Sequence, residues 1–176
     1  MAGAMNSETF LPTAEGEIRL LLLIDAFSNQ TGGLQGRTKL AKLDFFLRYP
    51  AFLRRALEIR HAALDDNQSF MSANPIEERM VRYRYGPWDP SYFALLGSLL
   101  GRGLIYVVPY NRGLGYKTTD KGAGLAENMR SDSAWEEVSA STGLLRNHLN
   151  LAGTTLKNFI YDHFPEVATA RWTEEL

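Results

Sequence analysis

Hydrophobic positions along this chain recur mostly at helical spacing, broken once by strand spacing. Residues 15–27 (EGEIRLLLLIDAF) are apolar on nearly every face, with charges at Glu17, Arg19 and Asp25. A helix apolar almost all round is normally buried at the centre of a fold, so this segment is expected to be the core helix. Residues 28–36 (SNQTGGLQG) have loop composition. A second helix is expected over 37–49 (RTKLAKLDFFLRY), with Leu40, Leu43, Phe46 and Leu47 on one face and Lys39, Lys42 and Asp44 turned away from it. Pro50 interrupts it. A third helix then runs over 51–64, with Phe52, Leu53, Leu57 and Leu64 inward, before a loop at 65–74 and a strand over 76–85.

Residues 81–119 read as strand, capped helix and β-hairpin. Asp89-Pro90 is a helix start, because Asp caps free N–H groups and Pro tolerates the first helical position. Tyr92, Leu95, Leu96, Leu99 and Leu100 make one apolar stripe, and Gly101 and Gly103 are stop signals. Residues 105–109 are β-branched and aromatic, 111–115 carry turn chemistry, and 116–118 can return antiparallel. Helix followed at once by a tight hairpin is the second half of a winged-helix domain. Tyr85-Gly86-Pro87-Trp88 is an aromatic turn whose Trp88 is expected to pack beneath the helix start.

Beyond the hairpin, 120–129 is helical but weakened by Gly122 and Gly124. In 131–150, Ser133 and Glu136 have capping-box spacing, and Trp135, Val138, Thr142, Leu145 and Leu149 form a face. A last helix over 154–164 carries Leu156, Phe159 and Ile160, and Pro165 is expected to end it. The fold class is therefore mainly α (α+β): a winged-helix domain at 14–125 with a small hairpin wing, and a C-terminal helical extension at 126–176 packed on it.

Composition narrows the function. There are 176 residues and no cysteine, which excludes disulfides, thiolate zinc sites and cysteine nucleophiles together. A chain of this length buries roughly 70% of its extended surface, enough for a real core. The N-terminus MAGAMNSETF has neither a positive region nor an apolar core, and the longest unbroken apolar run is Leu20 to Ile24. No export signal or membrane span is expected, and the protein is placed in the cytoplasm.

Charge is unevenly placed on a chain whose net charge is −1. From Arg79 to Lys121 there are seven basic residues and two acidic ones, leaving the acidic surplus to the rest. Arg82 and Arg84 alternate with tyrosines and would share one strand face; Arg102, Arg112 and Lys117 lie on or beside the hairpin. These five are candidate phosphate contacts giving salt-dependent, non-specific nucleic-acid affinity. Equally, they are a solvated face or a contact for an acidic partner. The helix before the hairpin argues against base readout. Its non-core face offers Ser91, Ala94, Gly97, Ser98 and Gly101, without Arg, Lys, Asn or Gln. Such a face suits close packing on another protein.

Catalytic patterns are missing. His61, His148 and His163 are scattered without ligand spacing, so no metal site is expected. Acidic pairs at 65–66, 77–78, 136–137 and 174–175 look like loop, face or tail residues. Gly113-Leu114-Gly115 lacks the strand–helix context of a phosphate loop, and there is no nucleophile elbow. A non-enzymatic protein without cofactor is the expectation.

The segments RTKLAKLDFFLRYP, YRYGPWDPSYFALLGSLLGRGLI and YKTTDKG together resemble the middle components of bacterial ABC-type three-component systems. Those are small winged-helix subunits found with an SMC- or Rad50-like ATPase and an effector subunit, in antiphage or antiplasmid defence of the Lamassu kind. The likeness spans about residues 15–125, and LKNFIYDHFPEV is similar in character to the C-terminal helical layer of such subunits. It implies an accessory role beside the ATPase and effector, with a homodimer and non-specific DNA as further contacts, and it carries over no active-site residue. The YGP turn also looks like that of other winged-helix families, so a stand-alone DNA-binding regulator or antitoxin-like protein is the alternative.

Overall fold

A computed structural model describes residues 12–64, 80–83 and 86–169, with backbone alone at 81–83. The described chain is mainly helical, with a three-stranded antiparallel sheet and a separate two-stranded ribbon. The expected loop at 65–74 and most of the expected strand at 76–85 lie outside the described residues. Among the described residues, no helix is long and apolar enough to cross a membrane.

Helix α1 (Ala14–Phe27) starts where Thr13 accepts a hydrogen bond from the Gly16 N–H, and Glu15 and Glu17 place negative charge in its first turn. Leu20 to Ile24 and Phe27 are fully buried, because α1 is wrapped by later helices and by the sheet. A tight turn through Gly32 and Gly33 leads to β1 (Leu34–Gln35), and α2 (Arg37–Arg48) follows.

Helix α2 departs from its expected two-faced character. Lys39, Lys42, Asp44 and Arg48 are as buried as its leucines and phenylalanines. Long-range packing closes its polar side: α6 and α7 cover it from one direction and the ribbon from another. Lys39 donates to the Asn150 side chain at 2.7 Å and lies over the Phe27 ring. Among the described residues Lys42 donates only to the Thr38 carbonyl, at 3.3 Å, with the methylenes of its stem under Gly86. The chain thus has two central helices where one was expected.

Lys42 has a measurable consequence. Burial, then repulsion from Lys157, lowers its pKa from 10.5 to about 8. Between these values the unfolded chain binds more protons than the folded one, so stability should rise as pH climbs from about 8 toward 10. Urea titrations across that window should show a gain of about 1 to 2 kcal/mol, and Lys42→Met should abolish most of the slope. Above pH 10 the trend should reverse. Burial, reinforced by the Asp44 charge, raises the Tyr92 phenol well above its ordinary value, so the unfolded chain loses that proton first.

After α2, Pro50 opens α3 (Pro50–Ile59) as its first residue, where its missing N–H costs nothing. Leu53 and Leu57 are buried as expected, while Phe52 and Leu64 are half-buried. The ribbon pairs β2 (Val81–Tyr83) with β3 (Gly86–Trp88), so what reads as an aromatic turn is the start of a strand. Trp88 does pack at the entrance to α4 (Tyr92–Gly101), its ring 5.2 Å from Tyr92 and 5.9 Å from Phe93.

The hairpin β4 (Ile105–Tyr110) and β5 (Gly113–Thr118) turns at Asn111-Arg112, with Asn111 at positive φ as two-residue hairpins require. Strand β1 pairs with β5, giving the sheet order β1-β5-β4. Helix α5 (Asp120–Arg130) is capped by Thr119. The expected capping box at Ser133 is not formed. Asp132 instead caps a 3-10 turn at Ser133–Trp135, and α6 (Glu136–His148) starts without a side-chain cap. Helix α7 (Gly153–His163) ends before Pro165, which opens α8 (Pro165–Thr169) rather than simply stopping the chain. Leu145, Leu149, Leu156, Ile160, Phe164 and Val167 from these closing helices join the same apolar cluster as α1 and α2.

Candidate functional site

Helix α4 is held against α1 and α2 by a buried ionic lattice. Arg19 of α1 grips Asp44 of α2 through two bonds, Nε to Oδ1 at 2.7 Å and Nη2 to Oδ2 at 3.3 Å. The Tyr92 hydroxyl of α4 donates to Asp44 Oδ2 at 2.8 Å. One turn along α2, Arg48 Nη1 lies 3.9 Å from that oxygen and donates to Asp89 Oδ2 at 2.6 Å. Asp89 Oδ1 accepts the Ser91 N–H at 2.8 Å, so Asp89 closes the turn before α4 rather than capping the helix itself. Burial alone would raise the Asp89 pKa; the hydrogen bonds from Ser91 and then Arg48 overcome it and hold the carboxyl below its ordinary value.

The lattice sets the rotation of α4. Tyr92, Leu95, Leu96 and Leu99 face the core, and Gly16 of α1 sits so close to Leu95 that the two helices nearly touch. Leu100, expected in the core stripe, is instead 38% exposed. Ser98 hydrogen-bonds the Glu17 carboxylate of α1, so it is tied into the fold rather than free for a partner. Ser91 belongs to the Asp89 turn. Ala94 is half-buried, while Gly97 and Gly101 face open space.

The basic candidates do not form one surface. Arg102 donates to Glu17 at 2.8 Å, which neutralises much of its charge at the end of α4. Arg112 is exposed at the hairpin tip, about 17 Å farther along at ordinary strand rise. Lys117 pairs across the hairpin with Tyr106 and is half-buried on the other sheet face. Arg84 lies outside the described residues, and Arg82 is described by its backbone alone.

Lys117 and Tyr106 line a polar cleft of about 530 Å³ between the hairpin base, the end of α1 and α5. Three of its charged groups, Asp25, Glu127 and Arg130, are tied together. Asp25 accepts from the Thr118 hydroxyl at 2.8 Å and from Arg130, and Arg130 also donates to Glu127. Ser28 Oγ accepts the Thr118 N–H at 3.0 Å. This set fastens the hairpin to α1 and α5. Among the described residues no three His, Asp or Glu side chains converge as metal ligands.

Reading the sequence missed the ionic lattice, because its members stand 25 to 48 residues apart. The one local clue was Asp44 and Arg48 at i and i+4. No family model, curated protein or solved structure matches the chain.

Proposed function

We propose that this chain is a non-enzymatic accessory subunit of winged-helix type, docking on an SMC-like coiled-coil ATPase in a bacterial defence complex. The winged-helix assignment draws support from the sheet order β1-β5-β4, with α1 before β1 and α4 directly before the hairpin. In that arrangement the α3 helix and the β2–β3 ribbon are an insertion between the second helix and the one preceding the wing. The observation that carries the accessory role is the open face of α4. Where a DNA reader would carry Arg, Lys, Asn or Gln, it carries Gly97, Gly101 and apolar side chains.

Coexpression with an SMC-like coiled-coil ATPase encoded in a neighbouring gene is the test: such a gene should exist, and the pair should yield a complex that survives size-exclusion chromatography. Gly97→Leu should weaken that complex while leaving the melting temperature unchanged, since a side chain at position 97 enters open space. Failure of the wild-type chain to associate would remove the accessory role. Tight, sequence-selective binding to duplex DNA by the isolated chain would favour the regulator or antitoxin-like alternative instead; weak, salt-sensitive binding would not.

A further inference from the structure

The open face of α4 continues into one face of the wing. Phe93 and Leu100 project from α4 within about 20° of each other around the helix axis. They are 59% and 38% exposed, with open space beside them at Gly97. The Arg37 guanidinium, at the start of α2, lies 4.8 Å over the Phe93 ring. Three residues before it, Leu34 pairs with Tyr116, which pairs in turn with Val107. Directly paired residues share a sheet face, so Pro109 and Leu114 extend this face to the hairpin tip. Val107 is 38% exposed and Leu114 54%. Leu34 and Tyr116 are buried between the helix patch and the wing patch, and the Arg37 charge reaches the Tyr116 phenol.

Charge on this face has one sign. Neither Arg37 nor Arg112 has a carboxylate within ion-pair distance among the described residues, and α4, β4 and β5 contain no acidic residue. We propose that this face docks a protein segment presenting a row of apolar side chains flanked by carboxylates, an assignment that rests on the accessory-subunit role. Four exposed apolar side chains gain by leaving water, and two unpaired guanidiniums select acidic neighbours. A second copy of the chain fits poorly, because a symmetric contact would bring like charges together with no carboxylate between them. Duplex DNA fits poorly too. Phosphates do not reward burial of Phe93, Leu100, Val107 and Leu114, and the nearby Arg102 is already paired with Glu17.

The test places photo-reactive benzoylphenylalanine at position 93 in one full-length variant, at 114 in a second, and at Asn158 on α7 as a control. Each is crosslinked in the native host, and the attached peptides are sequenced by mass spectrometry. Positions 93 and 114 should capture the same acidic, apolar segment of one other protein. A synthetic peptide of that segment should bind at least tenfold more weakly to Phe93→Asp and Leu114→Asp. The Leu114 side chain is exposed at the hairpin, so its replacement should leave the melting temperature unchanged. Phe93→Asp gives up the contacts to Trp88 and Arg37 and should lower it slightly. Arg37→Glu should weaken it further as salt is lowered. If the segment belongs to a protein other than the coiled-coil ATPase, the docking face stands, and the ATPase-subunit role falls if the ATPase also fails to copurify. Crosslinks to a second copy, to nucleic acid, or none above the Asn158 level would overturn the docking face, and copurification with the ATPase would then still uphold the subunit role.

Discussion

Replacing Asp44 by alanine should destabilise the protein by about 4 kcal/mol, which for a chain of this size lowers the melting temperature by roughly 10 °C or more. Asp44 is fully buried and accepts two bonds from Arg19 and one from the Tyr92 hydroxyl. Without it, the donors that Arg19 and Tyr92 direct at Asp44 lose that acceptor in the core, and Arg48 loses a nearby countercharge. Tyr92→Phe removes one hydrogen bond from the same carboxylate and should cost about 1 kcal/mol. The double replacement Arg19→Met, Asp44→Leu, which leaves Arg48 on Asp89, separates the two parts of the effect. Removing the charges together should recover much of the loss suffered by Asp44→Ala, because the damage comes from orphaning buried ions rather than from losing a favourable pair. Differential scanning calorimetry of the three variants decides it. Near-wild-type stability of Asp44→Ala would mean that the lattice does not hold α1, α2 and α4 together.

The second large effect is expected at Gly122. A Cβ there would stand 1.8 Å from the carbonyl oxygen of Leu104, and 2.8 Å from its carbon. Both are backbone atoms at the base of the wing and cannot swing aside. Gly122→Ala must therefore push α5 off the hairpin, breaking the cap that Thr119 makes to the Gly122 N–H and straining the Thr119 N–H bond to Leu104. A loss of about 3 kcal/mol is expected in chemical denaturation. Gly124 lies on the same helix, but a Cβ there meets nothing. Gly124→Ala should stabilise by about 0.5 to 1 kcal/mol, since the interior of a helix favours alanine over glycine. Two identical substitutions two residues apart should thus have opposite signs. The pattern of Gly122 and Gly124 reads, from sequence, only as a weak helix.

How much of the candidate site could be read beforehand follows from what each residue needs to know. The hairpin was legible because turn chemistry and strand propensity are local: β-branched and aromatic residues at 105–108 and an Asn at positive φ sit within a dozen residues. The two-stranded ribbon was not, because Gly86 and Pro87 are poor strand formers, and only pairing with 81–83 makes them one. Leu100 was misplaced by its neighbours. It stands beside Leu99 in an apolar run, and the rotation of α4 that exposes it is fixed by Tyr92 reaching Asp44 and Ser98 reaching Glu17.

By itself, the sequence determined the helical skeleton: the burial of α1, the break at Pro50, the packing of Trp88 at the entrance to α4, and the hairpin after it. Each follows from residue spacing within one or two turns, or from a proline or glycine whose backbone preference holds in any context. The tertiary structure alone decided the fate of the charges. Lys39, Lys42 and Asp44 read from the sequence as turned away from the apolar face, and together with Arg48 they are buried because α6, α7 and the ribbon close over them. Burial of an ion depends on partners brought from 25 to 111 residues away, among them Arg19, Asp89 and Asn150. No window along the chain contains that information. The same holds for the open face, where Arg37 lies over the Phe93 ring and Leu34 pairs with Tyr116 only in the folded chain.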